Sequence, residues 1–413
     1  MSIEHITGLR CVCCQQLYNL EVAYTCPKCG LEGVLDVEYD YQQVAHTLTS
    51  AALAKRPYTH WRYQELLPIK ATAPLPHLQV GWTPVYQLPN LAAKLGLGMV
   101  YIKDDGRNPT ASFKDRASSV GVVKACEAGA STVACASTGN AASSLAGFAA
   151  AMRLKSFIFV PARAPEPKIT QLLIFGATVL RIEGSYDAAW MLCQQACERW
   201  GWYNRNAAVN PYLVEGKKTA GLEIGEQFAD HMPDWVVFSI GDGCTIAAAW
   251  KGILEMYKLG IADRLPRMLG VQAEGADPIA KAFHSGTDLQ PSDAETIADS
   301  IAVGHPRNWR KALKALHESH GEVVCVSDAE ILEAMRMAAR DAAVFGEPAA
   351  VAALAGLQRA RTEGLVKANE TALVVITGNG LKDIQSARQA AGTPISLAPS
   401  LSLLEKALES QMS

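Results

Sequence analysis

A lysine at the start of a helix is a potential nucleophile, and Lys114 stands in such a place. It lies in the segment Lys103-Asp-Asp-Gly-Arg107-Asn-Pro-Thr-Ala-Ser112-Phe113-Lys114-Asp115-Arg116. Ser112 can cap a following helix, with Asp115 near the position of a capping-box acid. That puts Lys114 in the first helical turn. There the positive end of the helix opposes an ammonium charge and brings the neutral, nucleophilic amine within reach. Alone, a lysine between phenylalanine and aspartate reads as a surface residue; its neighbouring loops change that reading.

The loop Ala136-Ser137-Thr138-Gly139-Asn140-Ala141-Ala142-Ser143 follows an apolar run and opens an Ala-rich helical pattern. Small residues there expose backbone N–H groups to which a carboxylate can dock. A second loop, Ser239-Ile240-Gly241-Asp242-Gly243-Cys244-Thr245-Ile246, sets glycine-rich backbone at a helix start, a phosphate cradle in physical terms. It has neither the lysine of a Walker loop nor the glycine spacing of a dinucleotide fingerprint. Cys244 reads there as a small residue whose backbone N–H matters. A third, Thr377-Gly378-Asn379-Gly380-Leu381-Lys382-Asp383, offers the Thr377 hydroxyl at the carboxyl edge of a strand, where α/β ligands sit. Each loop alone also fits an ordinary strand–helix connection.

Metal chemistry is confined to the N-terminus. Cys11/Cys14 and Cys26/Cys29 form two Cys-x-x-Cys pairs flanking the strand-like stretch from Tyr18 to Tyr24. Four thiolates in two knuckles suit a closed, tetrahedral structural zinc site. Gly30 allows the tight turn after the second pair, and Cys13 is an extra thiol. Of the remaining cysteines, Cys126, Cys135, Cys193, Cys197 and Cys325 read as buried thiols. The nine histidines show no metal-ligand spacing.

The elements that must position these groups are legible as short apolar runs alternating with Ala-rich helical patterns. The runs start at Met99, Thr132, Phe157, Thr178, Trp235, Met268 and Leu373. Their lack of polar alternation predicts strands covered on both faces, as in parallel sheets of an α/β protein. The stretch from about 394 onward reads as an amphipathic helix docked on the body. With 413 residues and 49% hydrophobic content, the chain can bury a large core in two or three domains. The 38 basic and 41 acidic residues give a net charge of −3, which leaves no field for nucleic acid or an anionic membrane to exploit. No apolar run approaches the roughly 20 residues of a membrane span. The first residues lack the basic start and apolar stretch of a secretory signal, so a cytoplasmic location is expected.

Taken together, Arg107–Arg116, Ser137–Asn140, Glu215-Gly-Lys-Lys-Thr219, Gly270-Val-Gln-Ala-Glu-Gly275 and Thr377–Asp383 resemble the fold-type II pyridoxal-phosphate enzymes, and the threonine synthases in particular. The resemblance covers nearly the whole chain, including a zinc-ribbon-like start found in some members. It implies a ribbon over 1–40, a larger α/β domain built from 41–120 and 221–413, and a smaller mobile α/β domain over 121–220. The cofactor, pyridoxal 5′-phosphate, is then expected in the cleft between the two, held as a Schiff base on Lys114, which also moves protons. Asn140 faces the phenolic oxygen, the Gly241–Thr245 loop takes the phosphate and Thr377 faces the pyridine nitrogen. Ser137, Thr138 and Gly139 hold the carboxylate of a small amino-acid substrate. A homodimer is implied, with no nucleic-acid or membrane partner.

The implied lyase reaction converts O-phosphohomoserine and water to threonine and phosphate, and therefore needs a second anion site. The family pattern carries an arginine where this chain has Leu213, and polar residues where it has Ala207 and Ala208. Loss of such a clamp is not conservative. Asp242 is also unwelcome beside a phosphate unless it points away. Two expectations follow. Either Arg107, Lys217 or Lys218 takes over the phosphate, or the scaffold serves another amino acid, in cysteate synthase-like β-replacement or in dehydration of serine or threonine.

Overall fold

The computed structural model describes residues 2–22, 24–162, 164, 166–206 and 209–412; Ala207 and Ala208 lie outside them. The chain begins with β1 (Ile6–Cys11), β2 (Leu17–Tyr18), β3 (Thr25–Cys26) and β4 (Gly30–Tyr39). These pair antiparallel in the order β2-β1-β4-β3. Of the strand expected from Tyr18 to Tyr24, only Tyr18 lies in a strand among the described residues, and β3 starts just beyond Tyr24. Tyr24 takes a φ of +65°, which extended pairing does not tolerate.

Next come β5 (Val85–Gln87), β6 (Met99–Asp104), β7 (Thr132–Ala136), β8 (Lys155–Pro161), β9 (Thr178–Ile182) and β10 (Tyr203–Asn204). The chain continues through β11 (Trp235–Ser239), β12 (Arg267–Ala273), β13 (Glu322–Val326) and β14 (Thr371–Ile376). Strands β7–β10 form a parallel sheet in the order β10-β7-β8-β9. The larger sheet runs β13-β12-β11-β14-β6-β5, parallel except for the edge strand β5. Every residue of β7 and β11 is buried, as continuous apolar runs between helical layers require. The fold is α/β, as the alternation predicted.

Three expectations need correction. Phe113, not Ser112, precedes the first helical residue, and the helix has no side-chain cap of the Ser/Glu type. Asp115 turns back to accept from the backbone N–H of Thr110 at 2.6 Å and from its hydroxyl. Lys114 nevertheless opens the helix Lys114–Glu127. The C-terminal helix Leu401–Met412 is not docked, since Leu401, Leu403, Leu404 and Leu408 are 41–72% exposed. Cys135, Cys193 and Cys197 are buried, whereas Cys126 and Cys325 are only partly so.

Candidate active site

The loops singled out in the sequence leave the carboxyl ends of parallel strands, β6, β7, β11 and β14, where open α/β sheets place their ligands. The first runs from β6 to the Lys114 helix. Its tight turn puts Ala111 at φ +62°, and the Phe113 N–H donates to Thr377 O at 2.8 Å. That bond ties the lysine loop to the end of β14. Lys114 is half-buried, and among the described residues its amine has neither a hydrogen bond nor an ion pair. Burial, followed by the nearby charges of Lys217 and Arg205, pushes its pKa down to about 8; Glu347 and the Cys244 thiol pull the other way.

At the end of β7, Ser137 Oγ accepts from the Gly139 N–H at 3.2 Å. Asn140 opens the helix Asn140–Ala151, which has no side-chain cap. Its first amides therefore remain available to an anion. The Asn140 side chain donates to Glu347 Oε1 at 2.6 Å, and among the described residues its second amide hydrogen has no acceptor. Glu347 is buried, and burial pushes its carboxyl pKa up, opposed chiefly by Lys382 and Lys114. Lys382 in turn donates to Ser143 at 3.1 Å. A small pocket between these groups is lined by Thr138, Gly139, Asn140, Glu347 and Lys382. A wider open groove lined by Tyr58, Trp82, Tyr101 and Phe228 contains none of them.

At the end of β11, Gly243 has φ +86° and stands before the helix Cys244–Lys258, which also lacks a side-chain cap. A Cβ on Gly243 would lie 2.9 Å from the Asn308 carbonyl. Asp242 points out of the loop: its carboxylate accepts from the Arg307 N–H and the Asn308 side-chain amide, both at 2.7 Å. Its charge is thus spent on the 307–308 segment. Thr245 and Gly241 are half-buried. Thr377 is half-buried too, and its hydroxyl has no hydrogen-bond partner among the described residues.

The candidates for a second anion separate clearly. Arg107 is exposed. Lys218 is sunk between Glu215 at 2.6 Å and Glu255 at 2.9 Å, which neutralises it. Lys217 is 2% exposed and unpaired among the described residues. Leu213 is fully buried, so close to the Lys114 helix that a Cβ at Gly121 would meet its Cδ2 at 2.8 Å. Sequence reasoning missed Glu347 and Arg205. Glu347 sits just before Pro348 at a helix start, a detectable boundary signal. Arg205 follows a two-residue strand that leaves no periodicity to read.

The four cysteines of the first sheet also converge. Cys11, Cys14, Cys26 and Cys29 have all their Sγ atoms within 4.8 Å of one another. Metal–sulfur bonds of about 2.3 Å at tetrahedral angles require sulfurs about 3.8 Å apart, and Cys14 and Cys26 are 3.7 Å apart. A Cβ at Gly33 would strike Cys26 Cβ at 2.5 Å and Cys29 Cβ at 2.7 Å, so the quartet closes only over a glycine. Cys13 turns away to donate to Glu32 O. The donor set fits a structural zinc.

Residues 77–378 match the family model described as "Pyridoxal-phosphate dependent enzyme". The chain is 38% identical over 404 residues to the threonine synthase of Methanocaldococcus jannaschii, covering 97% of this chain and 99% of that protein. It is 41% identical over 382 residues to that of Methanosarcina acetivorans, covering 92% and 93%. Maize serine racemase superposes with a TM-score of 0.65 at 20% identity, over 80% of this chain and 94% of that one. Threonine deaminase isoform 2 of Solanum lycopersicum also gives 0.65 at 20%, over 86% and 89%. These two likenesses are of fold alone, but with the family match and the curated relatives they leave one assignment: the chain belongs to the pyridoxal-phosphate-dependent enzymes and uses that cofactor.

Proposed function

We propose that this enzyme is a threonine synthase, a lyase that converts O-phospho-L-homoserine and water to L-threonine and phosphate by γ-elimination and β-addition. The observation that carries the reading is the match to threonine synthases along almost the entire length of both chains. The site geometry supports it. A half-buried amine without a partner, two uncapped helix starts and a free hydroxyl at a strand end fit the cofactor's aldehyde, phosphate and ring.

In this reading Lys114 holds the cofactor and Gly241, Asp242, Gly243, Cys244 and Thr245 supply the loop for its phosphate. Asn140 directs its free amide hydrogen at the phenolic oxygen and Thr377 faces the ring nitrogen. The cofactor supplies an electron sink for carbanionic centres on the substrate; a neutral hydroxyl at its nitrogen leaves that sink weaker than a carboxylate does. Ser137, Thr138 and Gly139 orient the substrate carboxylate at the helix start. Lys114 would also take up and return protons at the substrate; in the free protein its pKa of about 8 keeps both protonation states accessible near neutrality. Arg107 and Lys217 face the incoming substrate. The smaller α/β domain, 121–220, closes on the larger one, 41–120 with 221–413, and excludes water. In this reading the enzyme acts in the cytoplasm as a homodimer, without nucleic-acid or membrane partners; the net charge of −3 offers nucleic acid no attracting field.

Leu213, with no charge to offer a phosphate, favours a second reading in which the same site performs cysteate synthase-like β-replacement or dehydrates serine or threonine. One assay separates them. Cofactor-loaded enzyme given O-phosphohomoserine should release threonine and phosphate in equal amounts. No threonine, with turnover of phosphoserine plus sulfite or of serine or threonine instead, would establish the second reading.

A further inference from the structure

We propose that Arg205, assisted by Lys217, forms the subsite for the substrate's phosphoryl group. The inference rests on the reading of a phosphorylated amino-acid substrate and names the charge that Leu213 does not provide. Arg205 leaves the carboxyl end of β10, where its N–H donates to Ala134 O at 2.8 Å. Its side chain is 2% exposed. Nε and Nη2 both donate to one neutral acceptor, Ser118 Oγ, at 3.2 and 3.0 Å, and among the described residues no carboxylate pairs with it. Arg116 makes the contrast. It is equally buried, but Asp105 and Glu223 each bind it through two nitrogens at 2.6–2.9 Å. A buried guanidinium without a counter-charge is unfavourable in the free protein, and one facing a cleft is matched when an anion binds.

Its place relative to the reaction is fixed by the Lys114 helix. Ser118 is four residues after Lys114 and therefore on the same face, one turn along. The guanidinium bound to Ser118 thus lies one turn below the reactive amine, close enough to depress its pKa. Lys217 comes from the helix Tyr212–Gln227, where Gly216 lets the two helices nearly touch; a Cβ there would lie 2.2 Å from Arg116 O. The charges of Lys217 and Arg205 both reach Lys114, and the carboxylates nearby are already engaged, Glu347 by Asn140 and Asp115 by Thr110. Such a field suits a dianion. Two phosphates enter this enzyme, the cofactor's and the substrate's. The cofactor's has the glycine loop and uncapped helix at Cys244, so the unpaired cations are assigned to the substrate's.

The test uses cofactor-loaded enzyme, with loading read from its visible absorbance, and titrates inorganic phosphate calorimetrically. Wild type should bind phosphate. Arg205→Met should weaken that binding roughly 100-fold and raise the KM for O-phosphohomoserine by a similar factor, with cofactor content unchanged. Arg205→Lys keeps a charge but loses the planar fork, and should weaken phosphate about 10-fold even if the methionine variant does not fold. Unaltered phosphate affinity in Arg205→Lys overturns the proposal, as does loss of cofactor retention with phosphate binding intact, or a loaded wild type that binds no phosphate. An enzyme that binds phosphate through Arg205 yet makes no threonine would remove the substrate reading and leave the anion subsite standing.

Discussion

An amine that is half-buried and flanked by the cations Lys217 and Arg205 gives up its proton more easily than one in water. For Lys114 the pKa of about 8 converts into a pH profile. Only the neutral amine attacks an aldehyde. In apoprotein mixed with pyridoxal phosphate, the rate of cofactor attachment should therefore climb about tenfold per pH unit at lower pH and flatten above about 8. Stopped-flow absorbance gives that rate, and a profile still rising steeply past pH 9.5, as for an ordinary lysine, would contradict the site geometry. Lys114→Ala should lose the lysine-bound absorbance band and at least roughly 1,000-fold in turnover while keeping its circular dichroism. At this scale the sequence singled out candidates that lie in contiguous motifs: Lys114, Ser137–Asn140 and Thr377. It concealed Arg205 and Glu347. Each comes to the cleft from a distant segment, and only the fold reveals that one lacks a counter-charge and the other meets Asn140.

Elements decide whether those side chains meet anything. Gly243 illustrates this, because its φ of +86° is coupled to a close approach by the Asn308 carbonyl. Gly243→Ala should suffer left-handed strain of about 1–2 kcal/mol and also push the loop off Asn308. Expected is a loss of cofactor affinity of about 10-fold or more, measured by cofactor titration of the apoprotein. Gly129→Ala is the control: it has φ +70° but nothing within 4 Å, so it should bear the same strain of about 1–2 kcal/mol with cofactor affinity unchanged. The strands that carry the site were readable because they are buried on both faces and thus continuously apolar. β5, β10 and β13 were not read. The first two have only three and two residues, and β13 has a partly exposed Cys325 in its run. The expected capping box at Ser112 failed because the Thr110 amide and hydroxyl captured Asp115 first. A local pattern cannot rank two competing donors.

Across the whole molecule, the N-terminal sheet is not a separate appendage. Leu9, Cys11, Cys26, Leu35 and Val37 share one buried cluster with Phe228, Trp250 and Met256. Polar ties run from it toward the substrate side of the cleft. Tyr24 Oη accepts from the Asn204 N–H at 3.0 Å, next to Arg205, and Tyr39 donates to Glu215 at 2.7 Å, on the helix that carries Lys217. Toward the Gly241–Thr245 loop the sheet is tied as well: Lys251, on the helix that starts at Cys244, donates to Val37 O at 2.6 Å, and Lys311, three residues after Asn308, donates to Leu35 O at 3.0 Å. The cysteine quartet closes this sheet, so metal removal should be felt on both sides of the cleft. Structural zinc contributes folding free energy directly, and stripping it with a chelator should lower Tm by several degrees, about 1 °C for each kcal/mol lost in a chain of 413 residues. Below the new Tm, cofactor affinity should fall and KM for the phosphorylated substrate should rise, each several-fold, as Asn204 and Glu215 lose their tyrosine partners and Lys251 and Lys311 their carbonyls. Cys29→Ser and Gly33→Ala should reproduce the pattern without chelator, the latter by driving a Cβ into Cys26 and Cys29. Parallel measurement of zinc content, band intensity and KM checks it. If neither cofactor affinity nor KM moves as zinc leaves, these four bonds do not carry the sheet's influence to the cleft.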